Sequence, residues 1–152
     1  MEKPIQIRHA HLKDAEFIAQ FNTAMAKETE NKELDASVIA RGVNAVFENP
    51  QYGFYLVAEA DQQVLGSLMV TTEWSDWRNG FFWWIQSVYI RSDYRRRGIY
   101  SQLHHFVKKL AQQESNVCGI RLYVEHQNHP AQKTYASLGM SKTDYLLFEE
   151  EF

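Results

Sequence analysis

The sequence predicts one domain that contains both helices and strands. A length of 152 residues suits a single domain with a sizeable core. Some stretches repeat apolar residues at helical spacing, and others are short β-branched or aromatic runs bounded by turn residues. Hydrophobic and charged contents of 45% and 23% are those of an average globular protein. We therefore expect residues 1–152 to fold as a single domain.

The overall composition argues against several classes of partner. A net charge of −3 provides no general attraction to nucleic acid or to an anionic membrane. Cys118 is the single cysteine, which excludes an internal disulfide and fits a reducing compartment. No apolar run approaches the length of a membrane span, and residues 1–10 lack a signal-peptide core. We expect a cytoplasmic protein with no nucleic-acid or membrane partner.

The order of the predicted elements follows from periodicity and from turn residues. Asp35 is suited to cap the second helix, Asn79-Gly80 is a strong hairpin turn signal, and Gly139 is suited to end the last helix. The predicted elements are strand 5–10, helix 12–26, helix 36–48, strands 53–60, 64–72 and 81–90, helix 99–114, strand 120–125, helix 130–138 and strand 144–148.

Two polar or aromatic stretches have both a structural and a functional interpretation. Residues 27–34 (KETENKEL) are either the solvated end of a helix or the mouth of a substrate site, where Glu28 and Glu30 would attract a cationic amine. All four tryptophans lie within residues 73–84, either as packing residues or as an aromatic wall beside a polar pocket. Trp77 is the candidate substrate contact among them.

A basic loop joins a predicted strand to a predicted helix at residues 85–103. The loop ends in Arg95, Arg96, Arg97 and Gly98, and Ile99 begins the helical pattern. The first N–H groups of a helix lack intrahelical acceptors, and the helix dipole is positive there. Such a site favours an anion such as a phosphate, although a merely solvated basic loop is the alternative. The residues form neither a P-loop nor a G-x-G-x-x-G dinucleotide motif.

This loop resembles a motif of a known family. Arg95-x-x-Gly98-x-Tyr100 follows the strand Ser87-Val-Tyr-Ile90 and is similar to the acetyl-CoA loop of the GNAT N-acetyltransferases. The usual form of that loop is Gln/Arg-x-x-Gly-x-Gly/Ala. Tyr100 departs from it, because glycine or alanine is usual there.

A second stretch resembles another motif of the same family. Residues 122–140 combine a strand, a loop with Asn128 and a short helix with Tyr135, ending at Gly139. The two motifs occur in the right order with the long helix between them, and the resemblance covers essentially the whole chain. It implies a three-layer α/β/α fold of the α+β class, with a mixed, twisted central sheet and helices on both faces. Strands four and five would splay apart, with the pantetheine arm of acetyl-CoA between them.

The resemblance also implies the roles of individual residues. A backbone N–H of strand four, from Val88 or Tyr89, would hold the thioester carbonyl, and Tyr135 would be the general acid. The alternative for Tyr135 is a core tyrosine. Asn128 would bind the pantetheine amides or orient its loop. The candidate cofactor-binding residues are Val88, Tyr89, Ile90, Arg96, Arg97, Gly98, Ile99, Tyr100, Ser101 and Asn128. The histidines lack metal-ligand spacing, so we expect no metal site.

The amine substrate must lose a proton before it attacks. Relatives that acetylate diamines often carry a glutamate where this chain has Gln86. A glutamine side chain cannot act as a base, so Gln86 is predicted only to contact the substrate. Deprotonation at pH 7 costs about 4.6 kcal/mol for a lysine-like amine and about 1.4 kcal/mol for an α-amine. Either the substrate amine is easily deprotonated, or a carboxylate acts through water. Glu73 is the preferred carboxylate, and the others are Glu28, Glu30 and Glu125.

The sequence leaves three alternative functions open. The first is transfer of the acetyl group from acetyl-CoA to a primary amine of a small molecule, by direct attack in a ternary complex. The second is acetylation of a protein N-terminus or lysine, and the third is an acyl-CoA-binding module without turnover. The resemblance also suggests a homodimer, because proteins of this fold often pair through the sheet edge or the C-terminal strand and the segment Tyr145–Phe148 is apolar.

Overall fold

The structure is a computed structural model that describes residues 3–152, and the chain divides after Leu122 into two compact units. The first unit holds a sheet and three helices, and the second holds one helix. The strands are β1 (Gln6–His9), β2 (Phe54–Ala60), β3 (Gln63–Ser75), β4 (Gly80–Ile90) and β5 (Val117–Arg121), and the helices are α1 (Ala15–Glu30), α2 (Ala36–Glu48), α3 (Ile99–Gln113) and α4 (His129–Ser137).

The five described strands form a mixed sheet in the order β1-β2-β3-β4-β5. Neighbouring strands are antiparallel except β4 and β5, which are parallel. The β4–β5 register runs from Phe81 opposite Val117 to Trp84 opposite Arg121 and stops there, while β4 continues to Ile90. Strands four and five therefore part halfway along β4, as the resemblance implies.

Helices cover both faces of this sheet. Leu56 of β2 packs in one cluster with Leu103 and Val107 of α3. The next residue of β2, Val57, packs in a second cluster that contains α1 and α2 residues, among them Ile18. Successive strand side chains point to opposite faces, so this alternation places α3 on one face and α1 with α2 on the other. The three-layer α+β prediction is confirmed.

The helix predictions hold with one shift in length. Asp35 caps α2 as predicted, because its Oδ1 accepts hydrogen bonds from the backbone N–H groups of Ser37 (2.9 Å) and Val38 (3.1 Å). The first helix, predicted at 12–26, instead starts as a short 3-10 turn at Leu12–Asp14 and continues as α1 to Glu30. Glu28 and Glu30 therefore lie at the end of this helix, as the structural interpretation of residues 27–34 expects.

Two strand predictions are wrong. Strand five was predicted at 120–125, but β5 is Val117–Arg121. Its middle residue, Gly119, packs so closely on β4 that a Cβ there would lie 2.8 Å from the Phe82 ring. This packing requires a glycine, which strand propensity disfavours. The predicted strand 144–148 has no strand structure, and its four large apolar residues are between 70% and 90% exposed: Tyr145, Leu146, Leu147 and Phe148.

Residues 3–152 contain neither a helix that could span a membrane nor a cluster of metal-ligating side chains. No described helix combines the length and the apolar content that a membrane crossing requires. No group of three or more His, Cys, Asp or Glu side chains is arranged, within the same residues, to hold a metal ion.

Candidate active site

A bulge interrupts β4 just after it parts from β5. Met69 of β3 lies opposite Gln86 and Ser67 lies opposite Tyr89, so two residues of β4, Ser87 and Val88, face a single residue of β3. Ser87 takes a left-handed conformation with φ of 53°. A bulge of this kind bends the strand and leaves a residue outside the regular pairing.

The bulge decides which backbone N–H groups face the open edge of β4. The Arg91 N–H donates to Leu65 O of β3 at 2.8 Å. Because alternate residues of a strand direct their N–H groups to opposite edges, the Tyr89 N–H also faces β3. The N–H groups of Val88 and Ile90 then face away from β3, on the side that β5 has left. Of the two residues predicted as oxyanion donors, Val88 is thus the one whose N–H faces away from β3.

The N-terminus of α3 begins immediately after the basic loop. Gly98 is its N-cap, with φ of 76°, and no described side chain caps the helix there. Apart from Gly98, its chain neighbours and the adjoining helix backbone, no atom of the described chain lies within 4 Å of the place where a Gly98 Cβ would be. The first intrahelical bond runs from Gln102 N–H to Gly98 O. The N–H groups of residues 99–101 precede it and so lack intrahelical acceptors, which fits the binding of a pyrophosphate.

Arg95, Arg96 and Arg97 differ in their side-chain contacts and in their backbone conformation. The Arg95 Nε donates to Ile90 O at 2.9 Å, and its Nη2 donates to Glu28 Oε2 at 2.7 Å. The Arg97 guanidinium lies 5.0 Å from the centroid of the Tyr94 ring. Arg96 is exposed and has φ of 65°. The left-handed residues Arg96 and Gly98 therefore shape the backbone between Arg95 and the helix.

Tyr100 lies in the first turn of α3 and its side chain packs against the α3 face of the core. Its hydroxyl lies 3.1 Å from Nδ1 of His104, one turn further along the helix. His104 is 2% exposed, and burial lowers the pKa of its imidazole. Ile99 is also buried, so it can offer a ligand only its backbone, whereas Ser101 is half-buried.

Glu28 already has two partners. Its Oε1 accepts a hydrogen bond from the Tyr89 hydroxyl at 3.0 Å, and Oε2 accepts from Arg95. The hydrogen bond from Arg95 holds the pKa of Glu28 below its ordinary value. Glu30, the second acidic residue predicted at a substrate mouth, is exposed at the end of α1.

Glu73, the preferred general base, and the two remaining predicted substrate contacts, Gln86 and Trp77, lie on the β3–β4 hairpin. Glu73 Oε1 accepts from Arg121 Nη1 at 2.7 Å and from Trp84 Nε1 at 3.2 Å. Gln86 donates through Nε2 to the Thr71 hydroxyl at 2.6 Å. Trp77 is 87% exposed in the turn between the strands. The hairpin thus places Glu73 in a cross-strand ion pair and Trp77 in solvent.

The second unit contains Asn128 and Tyr135. Asn128 caps α4, because its Oδ1 accepts from the Ala131 N–H at 3.3 Å. Gly139 has φ of 96° and follows the end of the helix, as predicted. Tyr135 is half-buried, and burial raises the pKa of its hydroxyl above the ordinary value of 10.0. The hydroxyl therefore stays protonated at neutral pH, as a proton donor must.

Sequence reasoning missed two partners that shape this site. Arg121 was not predicted to pair with Glu73, and Arg95 was not predicted to pair with Glu28. These partners are 48 and 67 residues apart in the chain, so no local pattern could reveal them. The bulge at Ser87 was also missed, since Gln86, Ser87 and Val88 include no glycine, the residue that commonly marks a bulge in a strand.

Comparisons with known proteins identify the family. Residues 10–140 match the model of the acetyltransferase (GNAT) family. The chain belongs to this family, which implies acyl transfer from acetyl-CoA. No curated protein sequence gives a significant match.

Solved structures agree with this assignment. A possible acetyltransferase from Clostridium difficile 630 is 46% identical, with a TM-score of 0.90 and 97% of each chain covered. A predicted acetyltransferase from Clostridium acetobutylicum, solved with acetyl-CoA, is 19% identical (TM-score 0.78; 97% of this chain and 96% of that chain). The aminoglycoside N-acetyltransferase AAC(6')-Iy, solved with CoA, is 13% identical (TM-score 0.78; 99% and 97%). The last two show the fold alone.

Proposed function

We propose that this protein transfers the acetyl group of acetyl-CoA to a primary amine of a small molecule, by direct attack in a ternary complex. One observation carries the proposal: α3 begins after Gly98 with no side-chain cap and with open space beside this glycine, and only the loop 91–98 separates it from the half of β4 that β5 has left. Anion-binding N–H groups and unpaired strand N–H groups are then close along the chain. That combination suits a long ligand with a pyrophosphate at one end and a thioester at the other.

The proposed role of each residue follows from the hydrogen-bond donor that it offers to acetyl-CoA. Backbone N–H groups of residues 96–101 and the Ser101 hydroxyl hold the pyrophosphate. The Val88 N–H holds the thioester carbonyl and stabilises the negative charge that develops on its oxygen. As the new C–N bond forms and the C–S bond breaks, the Tyr135 hydroxyl gives its proton to the departing sulfur. The amine loses its own proton to solvent or to a base.

The polar partners at the hairpin favour an acceptor that needs little help to lose its proton. Gln86 has no basic atom, and it donates to Thr71. Glu73 could act as a base through water, but a proton on Oε1 would have to compete with the bond from Arg121. An amine with a pKa near 8 costs about 1.4 kcal/mol to deprotonate at pH 7, which a site without a strong base can bear.

The acceptor class is tested by CoA release with two panels of substrates. One panel holds small primary amines graded by pKa, and the other holds peptides with free N-termini or lysines. We expect turnover with small amines, fastest for those of low pKa. Turnover confined to peptides would favour the protein acetyltransferase instead. CoA binding without release on any acceptor would favour the non-catalytic module.

We also infer a homodimer, which the exposed segment Tyr145–Phe148 supports, and a cytoplasmic location, which the single cysteine supports. Tyr145, Leu146, Leu147 and Phe148 expose large apolar side chains in a row, and such a patch favours burial against another protein surface. A second copy of the chain is the partner we infer. Light scattering at tens of micromolar is expected to give the dimer mass, and Leu146→Asp is expected to shift it to the monomer. A wild-type monomer under these conditions would contradict the inference.

A further inference from the structure

A cluster of three side chains joins the end of α1 to the start of the cofactor loop. Glu28 lies in the last turn of α1, Tyr89 lies in β4 and Arg95 lies in the loop. The Tyr89 hydroxyl and the Arg95 guanidinium each donate to a different oxygen of Glu28, at 3.0 Å and 2.7 Å. The Arg95 guanidinium also lies 5.3 Å from the centroid of the Tyr89 ring. Each member of the cluster therefore contacts the other two.

The cluster fixes the backbone where β4 becomes the loop. Arg95 donates through Nε to Ile90 O, so one side chain binds both the end of the strand and the helix α1. The Tyr89 ring packs on Phe21 of α1 with centroids 5.2 Å apart, which holds the cluster from the other side. The next residue after Arg95 is Arg96, which takes a strained left-handed conformation. An anchor at Arg95 is thus placed directly before the strained part of the loop.

We propose that Glu28 is a positioning residue of the cofactor loop, which sets the affinity for acetyl-CoA through Arg95, and is not a binding group for the amine. A cationic amine at Glu28 would have to displace Arg95 or Tyr89, because each carboxylate oxygen already accepts a hydrogen bond. The proposal rests on the proposed function only in taking the loop at 96–101 as the site of CoA.

The expected effect is moderate because the ion pair is partly exposed. The side chains of Arg95 and Glu28 are 42% and 41% exposed, so solvent screens their attraction. Loss of the pair frees the loop to sample other conformations, and only the anchored one binds the pyrophosphate. We expect the Kd for CoA to rise about three- to tenfold.

The test measures the Kd for CoA alone by calorimetry, with no acceptor present. Glu28→Gln keeps the shape of the side chain and removes its charge. Glu33→Gln is the matched control, because it makes the same change of charge and breaks the exposed Lys27–Glu33 ion pair (3.0 Å) that also involves α1. We expect a higher Kd for Glu28→Gln and an unchanged Kd for Glu33→Gln.

A double-mutant cycle shows whether Glu28 acts through Arg95. If it does, Arg95→Gln raises the Kd and the double variant Glu28→Gln/Arg95→Gln is no worse than the more affected single variant. Fully additive effects of the two substitutions would overturn the proposal. Arg95→Lys is a further variant that keeps the charge, and it is expected to lose affinity because one ammonium group cannot bind Ile90 O and Glu28 in the same geometry.

Steady-state kinetics separates positioning from amine recognition. Glu28→Gln is expected to raise the KM for acetyl-CoA and to leave the KM for the amine unchanged. A raised KM for the amine with an unchanged Kd for CoA would overturn the proposal and return Glu28 to the acceptor site. A wild-type protein that binds no CoA would defeat the proposed function as well, whereas normal CoA binding by both wild type and Glu28→Gln would defeat this inference alone.

Discussion

The two segments that carry the family resemblance differ in the kind of atom they offer a substrate. Residues 87–101 offer backbone: a bulge, two left-handed residues before a helix, and N–H groups without intrahelical acceptors. Residues 122–140 offer side chains: Asn128, which caps α4, and Tyr135, whose hydroxyl stays protonated at neutral pH. Backbone donors are fixed before the substrate arrives, whereas a hydroxyl can give up a proton during the reaction. The first segment should therefore control binding and the second should control the chemical step.

The largest expected effect tests the second segment. Tyr135→Phe removes the hydroxyl and keeps the ring, so kcat should fall about 100- to 10,000-fold, the usual range for general acid catalysis. The KM for acetyl-CoA should change little, because this interaction is made chiefly in the transition state. The loss should be smaller for thioesters whose leaving thiol has a lower pKa. The measurement is steady-state kinetics on both proteins with thermal melts beside it.

The same experiment can also refute the assignment of the chemical step to the second segment. If folded Tyr135→Phe keeps kcat within about threefold of wild type, Tyr135 is a packing residue. Water or another side chain would then be the acid. The second segment would in that case carry no chemistry of its own.

The first segment is tested at Gly98, where the expected effect is on binding. Gly98→Asp places a carboxylate at the N-cap and a side chain at φ of 76°, a conformation that favours glycine. The negative charge repels the pyrophosphate, so the Kd for CoA should rise at least about tenfold. Gly42→Asp in α2 is the control, since a Cβ there also meets no described atom within 4 Å apart from its chain neighbours and the backbone of its own helix. Equal affinities for a folded Gly98→Asp and for wild type would remove the loop from the site.

The sequence predicted the first segment better than the second for a physical reason. The strand, the basic loop and the start of α3 at Ile99 each depend on neighbouring residues, and they were found where periodicity and Gly98 placed them. The strand predicted at 120–125, which would have begun the second segment, lies instead at Val117–Arg121, because Gly119 packs on Phe82 in a contact that only the folded sheet creates. The segment 144–148 has strand-like composition, but strand structure needs a partner strand.

In the candidate site, the local backbone features were predictable from the sequence, and the partners of the charged side chains were not. The backbone elements of the cofactor loop follow from residue types that act locally, so Gly98 and the helix start were foreseen. The partners of carboxylates are set by tertiary structure, and the interpretation of Glu28 and Glu73 as free acidic groups did not foresee Arg95 and Arg121. A carboxylate that is open to an amine and one that is occupied by an arginine look the same in a sequence.

The smallest expected effect separates the two roles left open for Asn128. Its Oδ1 caps α4 through the Ala131 N–H, so Asn128→Ala should cost about 0.5–2 kcal/mol of stability, the usual price of a lost N-cap. Asn128→Asp keeps an oxygen at the same place and removes only the amide donor. A residue that merely orients its loop predicts a lower Tm for Asn128→Ala, a Tm near wild type for Asn128→Asp, and Kd values for CoA within about twofold of wild type for both. A residue that donates from its amide to the pantetheine predicts weaker CoA binding for both variants, whatever their Tm. We expect the first pattern, because the hydrogen bond from the Ala131 N–H gives this side chain a structural role at α4. The second pattern would show that the segment 122–140 also contributes to cofactor binding, and the two segments would then no longer differ in function.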